Sequence, residues 1–308
     1  MQVSSGLVKY RFDFLKYRFA GLAFSVLLLV TGLVAYVVRG GFSYHIDFTG
    51  GAEIRVSFQK PLEIGAMRQA LGGDTTSGAE IQELGSDGKS FLITLHMDTL
   101  AENLEDSFKA LLQQSFPDNP VEISGIEQVG PEVGRDIKWN SFVAVFLSLI
   151  LLLFYIAVRS QFRYAAGATI ALLHDVLMML VFILLTGEQI SVHILAAVLA
   201  VLGYSLNDTI VIFSRVRDNL KKMSGLSEYD IINLSINQTL KRTILTSVST
   251  FLSILAIIIL GGDTLRGLSM VMGVGVVVGT YSSIYVATAI MYMLKKQPKT
   301  TDSASSTL

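Results

Sequence analysis

Residues 19–38 read FAGLAFSVLLLVTGLVAYVV, and this uncharged apolar run decides the fold class of the chain. A helix needs about 20 apolar residues to cross the hydrocarbon core of a bilayer. Four basic residues precede the run, as they also do in signal peptides: Lys9, Arg11, Lys16 and Arg18. The run is longer than the apolar region of a signal peptide, and no small-x-small cleavage site follows Val38. The sequence therefore predicts an uncleaved transmembrane helix.

Five more apolar stretches reach spanning length. They lie at about 141–158, 165–186, 192–213, 243–261 and 267–294. Composition agrees with a membrane protein, because hydrophobic residues make up 51% of the 308 positions and charged residues only 16%. Soluble domains carry about 25% charged residues. The predicted fold class is an all-α six-helix membrane bundle with one α+β domain outside the cytoplasm.

Basic residues predict the orientation of the spans. Besides the four before the first span, they lie between the second and third, between the fourth and fifth, and after the sixth: Arg159, Arg163, Arg215, Arg217, Lys221, Lys222, Lys241, Arg242, Lys295, Lys296 and Lys299. All fall on one side of the membrane, which the positive-inside rule assigns to the cytoplasm. Residues 1–18 and the Ser- and Thr-rich tail 297–308 are thus predicted to be cytoplasmic, with the tail disordered. Five spans form a membrane domain at 141–296.

The segment 39–140 is predicted to be the outer domain. Alternating apolar residues predict strands, and longer periods predict helices, in the order Ala52–Phe58, helix Leu62–Leu71, Ala79–Leu84, Ser90–His96, helix Thr99–Phe116 and Val121–Val129. Gly85-Ser86-Asp87-Gly88 is a hairpin signal between the second and third strands. The order βαββαβ is that of a ferredoxin-like split βαβ sandwich, a fold that hosts many functions.

Several chemistries are disfavoured by what the chain lacks. It has no cysteine, which removes disulfides, thiol chemistry and zinc–thiolate sites. Its basic residues form short clusters at the ends of spans and do not resemble a nucleic-acid footprint. No phosphate loop, HExxH or GxSxG motif is present in the sequence. We therefore expect no enzyme activity, no cofactor, no metal and no nucleic-acid partner.

Two carboxylates lie inside predicted spans, where an ionisable residue costs about 2.5–3.5 kcal/mol at the helix centre. Asp175 follows His174 near the middle of the third span, and Asp208 ends the motif GYSLND in the fourth. Spans joined by a short turn are expected to be neighbours, so both acids are predicted to face one cavity. Ser205 lies at i−3 from Asp208, on the same helix face.

The fifth span carries a polar stripe that is a predicted partner for Asp208. It consists of Arg242, Thr246, Ser249, Thr250 and Ser253 at helical spacing. An acid opposite an arginine and hydroxyls can form an ion relay, in which the carboxylate binds and releases the ion and the arginine changes partner. Structural readings stay open: Arg242 can snorkel to the interface, and the acids and hydroxyls can simply bond neighbouring helices.

The sixth span has small residues at four-residue spacing. Gly275, Gly279 and Ser283 form a small-xxx-small face, which lets helix backbones approach closely. This spacing predicts a packing face, along which helices could slide.

Longer motifs resemble the SecF proteins, the smaller partners of SecD in the bacterial Sec protein translocase, within the resistance-nodulation-division superfamily. They cover almost the whole chain: DFTGG at 47–51, LLHDV at 172–176, GYSLNDTIVIFSRVRDN at 203–219, NQTLKRTILTS at 237–247, GGDTLRG at 261–267 and GTYSSIY at 279–285. The combination of GYSLND, SRVRDN and QTLKRT is highly specific.

The resemblance implies a membrane protein of the bacterial inner membrane, paired with SecD as a heterodimer. It also implies attachment to the SecYEG channel, often with YajC, and use of the proton or sodium motive force to promote late steps of preprotein translocation. Asp208 and Arg242 match intramembrane residues assigned to ion conduction in this family, with Asp175, Ser205 and Thr246 as further candidates. DFTGG matches the link to the outer domain, so Asp47, Gly50 and Gly51 are predicted to form a hinge.

Three other functions stay open at this point. The chain could be a non-conducting scaffold that links SecYEG to accessory factors, or a subunit of a small-molecule exporter of the same superfamily. An intramembrane aspartyl protease with Asp175 and Asp208 as its dyad is disfavoured, because neither acid lies in a YD or GxGD context.

Overall fold

The structure is a computed structural model that describes residues 11–72, 79–85, 87–95, 103–223 and 225–294. A 3-10 turn (Leu15–Tyr17) precedes the helices α1 (Arg18–Arg39), α2 (Ile46–Thr49), α3 (Ile64–Ala70), α4 (Leu104–Ser115), α5 (Pro131–Arg159), α6 (Phe162–Thr186), α7 (Val192–Lys222), α8 (Glu228–Leu260), α9 (Gly262–Ser282) and α10 (Thr288–Met293). The strands are β1 (Gly51–Phe58), β2 (Glu80–Leu84), β3 (Ser90–Leu95) and β4 (Val121–Val129). A π-helical turn, Ser283–Ala287, joins α9 to α10.

Six helices within the described residues are long and apolar enough to span a membrane, as the sequence predicts. They are longer than the apolar runs, since α5 begins at Pro131 instead of 141 and α8 at Glu228 instead of 243. Hydropathy reports the part of a helix that fits the lipid, whereas the helix itself continues into water where its end is capped. The Ser227 side chain caps α8 by accepting from the backbone N–H of Asp230.

Three of the six spans form the interior of the bundle. About half of the most apolar stretch is buried in α6 (56%), α7 (50%) and the sixth span (56%), compared with 6% in α5 and 11% in α8. Most of the surface of α5 and α8 therefore faces outward, toward lipid or another subunit.

The N-terminal segment closes the bundle against α8. Asn233, which is fully buried, accepts from the Leu15 N–H at 3.1 Å and donates to the Asp13 carboxylate at 2.9 Å. Asn237 exchanges two hydrogen bonds with the Phe12 backbone. This contact could not be predicted from the sequence, because nothing in hydropathy links a polar N-terminus to a polar helix extension.

The outer domain has a four-stranded antiparallel sheet in the order β2-β3-β1-β4. Its core contains Ile54, Phe91, Ile93, Met67 and Leu112 from the strands and from α3 and α4. The predicted hairpin is confirmed by the pairing of β2 with β3, and both of its glycines have positive φ. The predicted helix 62–71 is shorter at both ends. His96, residues 99–102 of the other predicted helix and Ser86 of the turn lie outside the described residues.

Candidate functional site

Asp175 on α6 is the centre of a buried polar network. It is fully buried, and its Oδ2 accepts from Ser205 on α7 at 2.5 Å and from Ser282 on α9 at 2.9 Å. Its Oδ1 lies 3.1 Å from Nδ1 of His174. Three of the spans thus meet at one carboxylate, and each of its oxygens has a partner, as a buried polar group requires.

The network continues from His174 to the first span. His174 Nε2 lies 2.9 Å from Oγ of Ser25 on α1, and this oxygen lies 3.1 Å from the Tyr281 hydroxyl on α9. Tyr281 in turn donates to the Gly21 carbonyl at 2.6 Å. The sequence analysis singled out His174 and Asp175 but missed Ser25 and Tyr281. One serine and one tyrosine in apolar spans carry no signal of their own.

Asp208 on α7 has different surroundings. It is 4% exposed, and its Oδ2 is buried without a hydrogen-bond partner. Ser205, one turn earlier on α7, does not supply that partner, because its hydroxyl donates to Asp175 on the neighbouring helix. Asp175 and Asp208 lie on adjacent helices but share no hydrogen bond. Asp208 is therefore a buried acid with free bonding capacity.

Arg242 lies on the exposed side of α8 and forms no ion pair with Asp208, although its charge acts on that carboxylate. Thr246 bonds to the helix backbone, where its hydroxyl donates to the carbonyls of Arg242 and Thr243. Ser249 and Ser253 are exposed and also bond to carbonyls one turn earlier. Arg242, Ser249 and Ser253 of the predicted stripe are therefore exposed, whereas Thr246 and Thr250 are half-buried.

The hydroxyls of α8 that point inward are at other positions. Ser247 is 9% exposed and lies 2.7 Å from the Thr280 hydroxyl on α9, and it accepts from Tyr204 on α7. Thr243 is buried, and its Oγ1 has no partner. The helical period identified a polar stripe, but the direction of that stripe depends on neighbours that the period does not reveal.

The small residues of the sixth span lie against α7. A Cβ at Gly275 would lie 2.6 Å from Val201, and one at Gly279 would lie 2.8 Å from Ser205. The Ser283 hydroxyl lies 2.9 Å from Thr209 and donates to the Ser205 carbonyl at 3.3 Å. These positions therefore bring α9 and the π-helical turn close to the turn of α7 that carries Asp208.

The DFTGG motif forms a packed link in this structure. Residues 46–49 form the short helix α2, which the sequence analysis did not predict. Gly50 has φ 76° and ψ 161°, and a Cβ there would lie 2.8 Å from Cα of Pro131 at the start of α5. The Asp47 carboxylate accepts from the N–H of Val192, the first residue of α7. A carboxylate at a helix N-terminus is stabilised by the helix dipole.

His45 joins this link to the sheet. Its two ring nitrogens lie 3.2 Å from Asp47 and 2.7 Å from Glu53 on β1. Burial lowers the pKa of His45, but hydrogen bonds and charges from the two carboxylates outweigh it and raise the pKa to about 9. The hydrogen bond with His45 holds the pKa of Asp47 and of Glu53 below their usual values. The imidazolium is thus charged at neutral pH and connects the outer domain to α7.

The aspartyl-dyad alternative finds no support in this geometry. An aspartyl dyad needs two carboxylates that share a proton, whereas Asp175 bonds to His174, Ser205 and Ser282. Within the described residues, no group of three His, Asp or Glu side chains could hold a metal ion.

Comparison with known proteins identifies relatives of the whole chain. A family model for "Protein export membrane protein SecD/SecF, C-terminal" matches residues 107–297. Protein translocase subunit SecF of Calditerrivibrio nitroreducens is 37% identical over 89% of this chain and 91% of its own. SecF of Escherichia coli O157:H7 is 38% identical over 92% and 88%.

Solved structures with a similar fold also come from this family. The crystal structure of SecDF, a translocon-associated membrane protein from Thermus thermophilus, matches with a TM-score of 0.83 and 33% identity over 93% of this chain. SecDF in a super-membrane-facing form matches with a TM-score of 0.67 and 34% identity. The present chain spans about two fifths of these SecDF chains, 39% and 40% of their length.

Proposed function

The chain belongs to the SecD/SecF family of protein export membrane proteins, and we propose that it is the SecF-type subunit of a protein translocase. In this proposal it pairs with SecD and uses a proton or sodium motive force to promote late steps of preprotein translocation. The observation that carries it is Asp208, a buried carboxylate with an unpartnered oxygen on a helix tied to the outer domain.

The unpartnered oxygen of Asp208 favours a functional role. An ionisable group inside a membrane is costly, and a buried oxygen without a donor adds to that cost. A purely structural acid would have its partners within the bundle, as Asp175 has. An ion can bind at the unpartnered oxygen of Asp208, and Arg242 on α8 can respond to that change of charge because its own charge acts on the carboxylate.

The exposed polar groups of α8 support the proposal that a second subunit binds on this face. Arg242, Ser249 and Ser253 are exposed on a helix whose most apolar stretch is only 11% buried. Charged and polar groups are unfavourable against lipid tails. A SecD subunit on this face would cover them and would complete an ion path between the two proteins. SecYEG, YajC and the preprotein are further proposed partners, by the family resemblance.

A mechanical connection leads from α7 to the outer domain. Asp47 bonds to the N-terminus of α7, and His45 joins Asp47 to Glu53 on β1. The segment preceding α2 also pairs with the loop before α7, where His45 N–H donates to the Ile190 carbonyl at 3.0 Å. A shift of α7 on ion binding at Asp208 would therefore be transmitted through these hydrogen bonds to β1. One ion crossing ~150 mV releases about 3.5 kcal/mol, enough for one biased conformational step.

We also propose the location and the orientation of the chain. In this proposal residues 1–18 and 297–308 are cytoplasmic and 39–140 lie outside the cytoplasm, in a bacterial inner membrane. The positive-inside rule supports it, because the basic clusters of the sequence are predicted to lie on one side of the spans. The contact of residues 43–47 with the loop before α7 supports this arrangement, because both segments are predicted to lie outside. The membrane domain then covers 141–296.

The outer domain is proposed to be a ferredoxin-like sandwich. Its described elements follow the order βαββαβ, and β3 lies between β2 and β1 in the sheet. A split βαβ unit has this arrangement.

The proposed function is tested by replacing Asp208 in the complex with SecD. Asp208→Asn should abolish the stimulation of preprotein translocation by an ion gradient, because the neutral amide cannot exchange an ion, and should leave assembly with SecD intact. Asp218→Asn is the matched control, since Asp218 lies on the same helix but is exposed. Unchanged stimulation in Asp208→Asn would remove Asp208 from the relay and favour the non-conducting scaffold.

A further inference from the structure

The buried network around Asp175 contains hydrogen bonds whose direction can be worked out from the donors. A hydroxyl group has one hydrogen to donate, and a carbonyl oxygen can only accept. The 2.6 Å contact between the Tyr281 hydroxyl and the Gly21 carbonyl therefore uses the one hydrogen of Tyr281. In the contact between Ser25 and Tyr281, 3.1 Å long, Ser25 must be the donor.

The same reasoning determines the protonation of His174. The one hydrogen of Ser25 is directed to Tyr281, so Ser25 accepts in its 2.9 Å contact with His174 Nε2. This nitrogen must therefore carry a hydrogen. A chain of donors thus runs from the imidazole of α6 through Ser25 of α1 to Tyr281 of α9, and it ends at the backbone of α1.

The contact between Nδ1 of His174 and Oδ1 of Asp175 then also requires a proton. His174 Nδ1 and Asp175 Oδ1 are 3.1 Å apart and buried, so two bare lone pairs there would repel each other. Asp175 cannot turn its other oxygen to His174 without losing Ser205 and Ser282, which both donate to Oδ2. One hydrogen is thus required between Nδ1 and Oδ1, and there is no room for two.

We propose that His174 and Asp175 share one exchangeable proton and form a buried proton-binding site that is separate from Asp208. The proton lies on Nδ1, as imidazolium and carboxylate, or on Oδ1, as neutral imidazole and carboxylic acid. Either form has zero net charge, which suits an apolar interior. The proton belongs to the pair and not to one residue.

The surroundings of the pair are polar but uncharged. Ser25 of α1, Ser205 of α7 and Ser282 of α9 contact it directly. Among the titratable groups on the packed elements, Tyr281 has its ring 6.1 Å from that of His174, and Asp208 lies one turn from Ser205 along α7. No Lys or Arg among the described residues forms an ion pair with Asp175, whose one ion-pair partner there is His174, so the shared proton is what neutralises it.

The proton-binding pair could also contribute to the proposed function. Only this step of the inference depends on that function. The Ser205 hydroxyl links Asp175 to the helix that carries Asp208, and Ser283 bonds to the Ser205 carbonyl. Loss of the shared proton would leave a net negative charge in this contact and would disturb the packing of α7 on α9. The pair is then a second place where a proton can be held next to the relay.

The proposal is tested by nitrogen NMR of histidine-labelled full-length chain in lipid bilayers, with the His174 signals assigned from a His174→Gln sample. We expect a proton on Nε2 and a shared proton at Nδ1. A bare Nε2, or a bare Nδ1 with no shared proton, would overturn it. The readout does not involve transport, so it is independent of the outcome for Asp208.

Two tyrosine variants make the test specific. Tyr281→Phe removes the acceptor of the Ser25 hydrogen, which is then free to donate to His174 Nε2. His174 should then switch to the neutral tautomer protonated on Nδ1: Nε2 releases its hydrogen to solvent, and Nδ1 donates to the Asp175 carboxylate. Tyr285→Phe is the control, because Tyr285 is the neighbouring tyrosine, with its ring 5.4 Å from that of Tyr281. An unchanged tautomer in Tyr281→Phe, or the same switch in Tyr285→Phe, would contradict the donor chain.

Discussion

Replacing Gly50 by alanine probes whether the DFTGG link is packed or free. Gly50 has φ 76° and ψ 161°, a region of backbone space that is essentially restricted to glycine. Gly40, at the end of α1, also has φ 76°, but its ψ is 16° and nothing lies within 4 Å of the position that its Cβ would occupy. Gly40→Ala is therefore a control with a positive φ but no contact.

The expected loss of stability differs between the two variants. Gly40→Ala should cost about 1–2 kcal/mol, the penalty of a left-handed alanine. Gly50→Ala pays a backbone strain of about 1–3 kcal/mol. Its Cβ would also lie 2.8 Å from Cα and 3.0 Å from N of Pro131, both backbone atoms that cannot rotate away. Overpacking adds about 1–3 kcal/mol. Gly50→Ala should therefore cost about 2–6 kcal/mol in total, which is roughly 1–5 kcal/mol more than the lower estimate for the control.

Equilibrium unfolding of the full-length chain in detergent micelles measures this difference. The outer domain should also become more accessible to protease in Gly50→Ala, because strain at Gly50 loosens α2 from α5. Equal free energies of unfolding for the two variants would refute the packed link. They would favour instead the prediction that the DFTGG segment is a flexible hinge.

Two further predictions concern the link and the bundle. His45→Gln should remove a pH dependence of stability: because the folded pKa of about 9 exceeds the unfolded value of 6.5, the stabilisation is complete below pH 6.5 and is lost as the pH rises through about 9. The loss should be about 1–2 kcal/mol after solvent screening, and equal alkaline sensitivity of the wild type and the variant in thermal unfolding would contradict it. Gly275→Ala should destabilise the bundle by about 1–3 kcal/mol, because its Cβ would lie 2.6 Å from Val201. Gly273→Ala, whose Cβ would have only ordinary contacts, should cost less than half as much in the same unfolding assay.

The spans and the sheet could be predicted because each has a strong local signal. Lipid requires a helix to satisfy its own backbone, so an apolar run of sufficient length indicates one span. β1 alternates buried side chains at Ala52, Ile54, Val56 and Phe58, and the hairpin has its glycines where positive φ is needed. These features depend on residues close together in the chain.

The candidate site could be predicted only in part, since its contacts join distant segments. Asp175, Asp208 and Ser205 were identified, but the partner of Ser205 is on α6 and not on its own helix. Thr246 was predicted to serve the relay, yet its hydroxyl bonds to its own backbone. Ser25 was not considered, since it reaches His174 only through the packing of α1 on α6.

Ion flux through the reconstituted complex tests the central claim most directly. The chain is incorporated into liposomes with its SecD partner, and proton and sodium flux are measured at two gradients for the wild type and Asp208→Asn. The account predicts a gradient-dependent flux of one ion in the wild type that falls to the background of empty liposomes in Asp208→Asn. Equal flux in both proteins would contradict it.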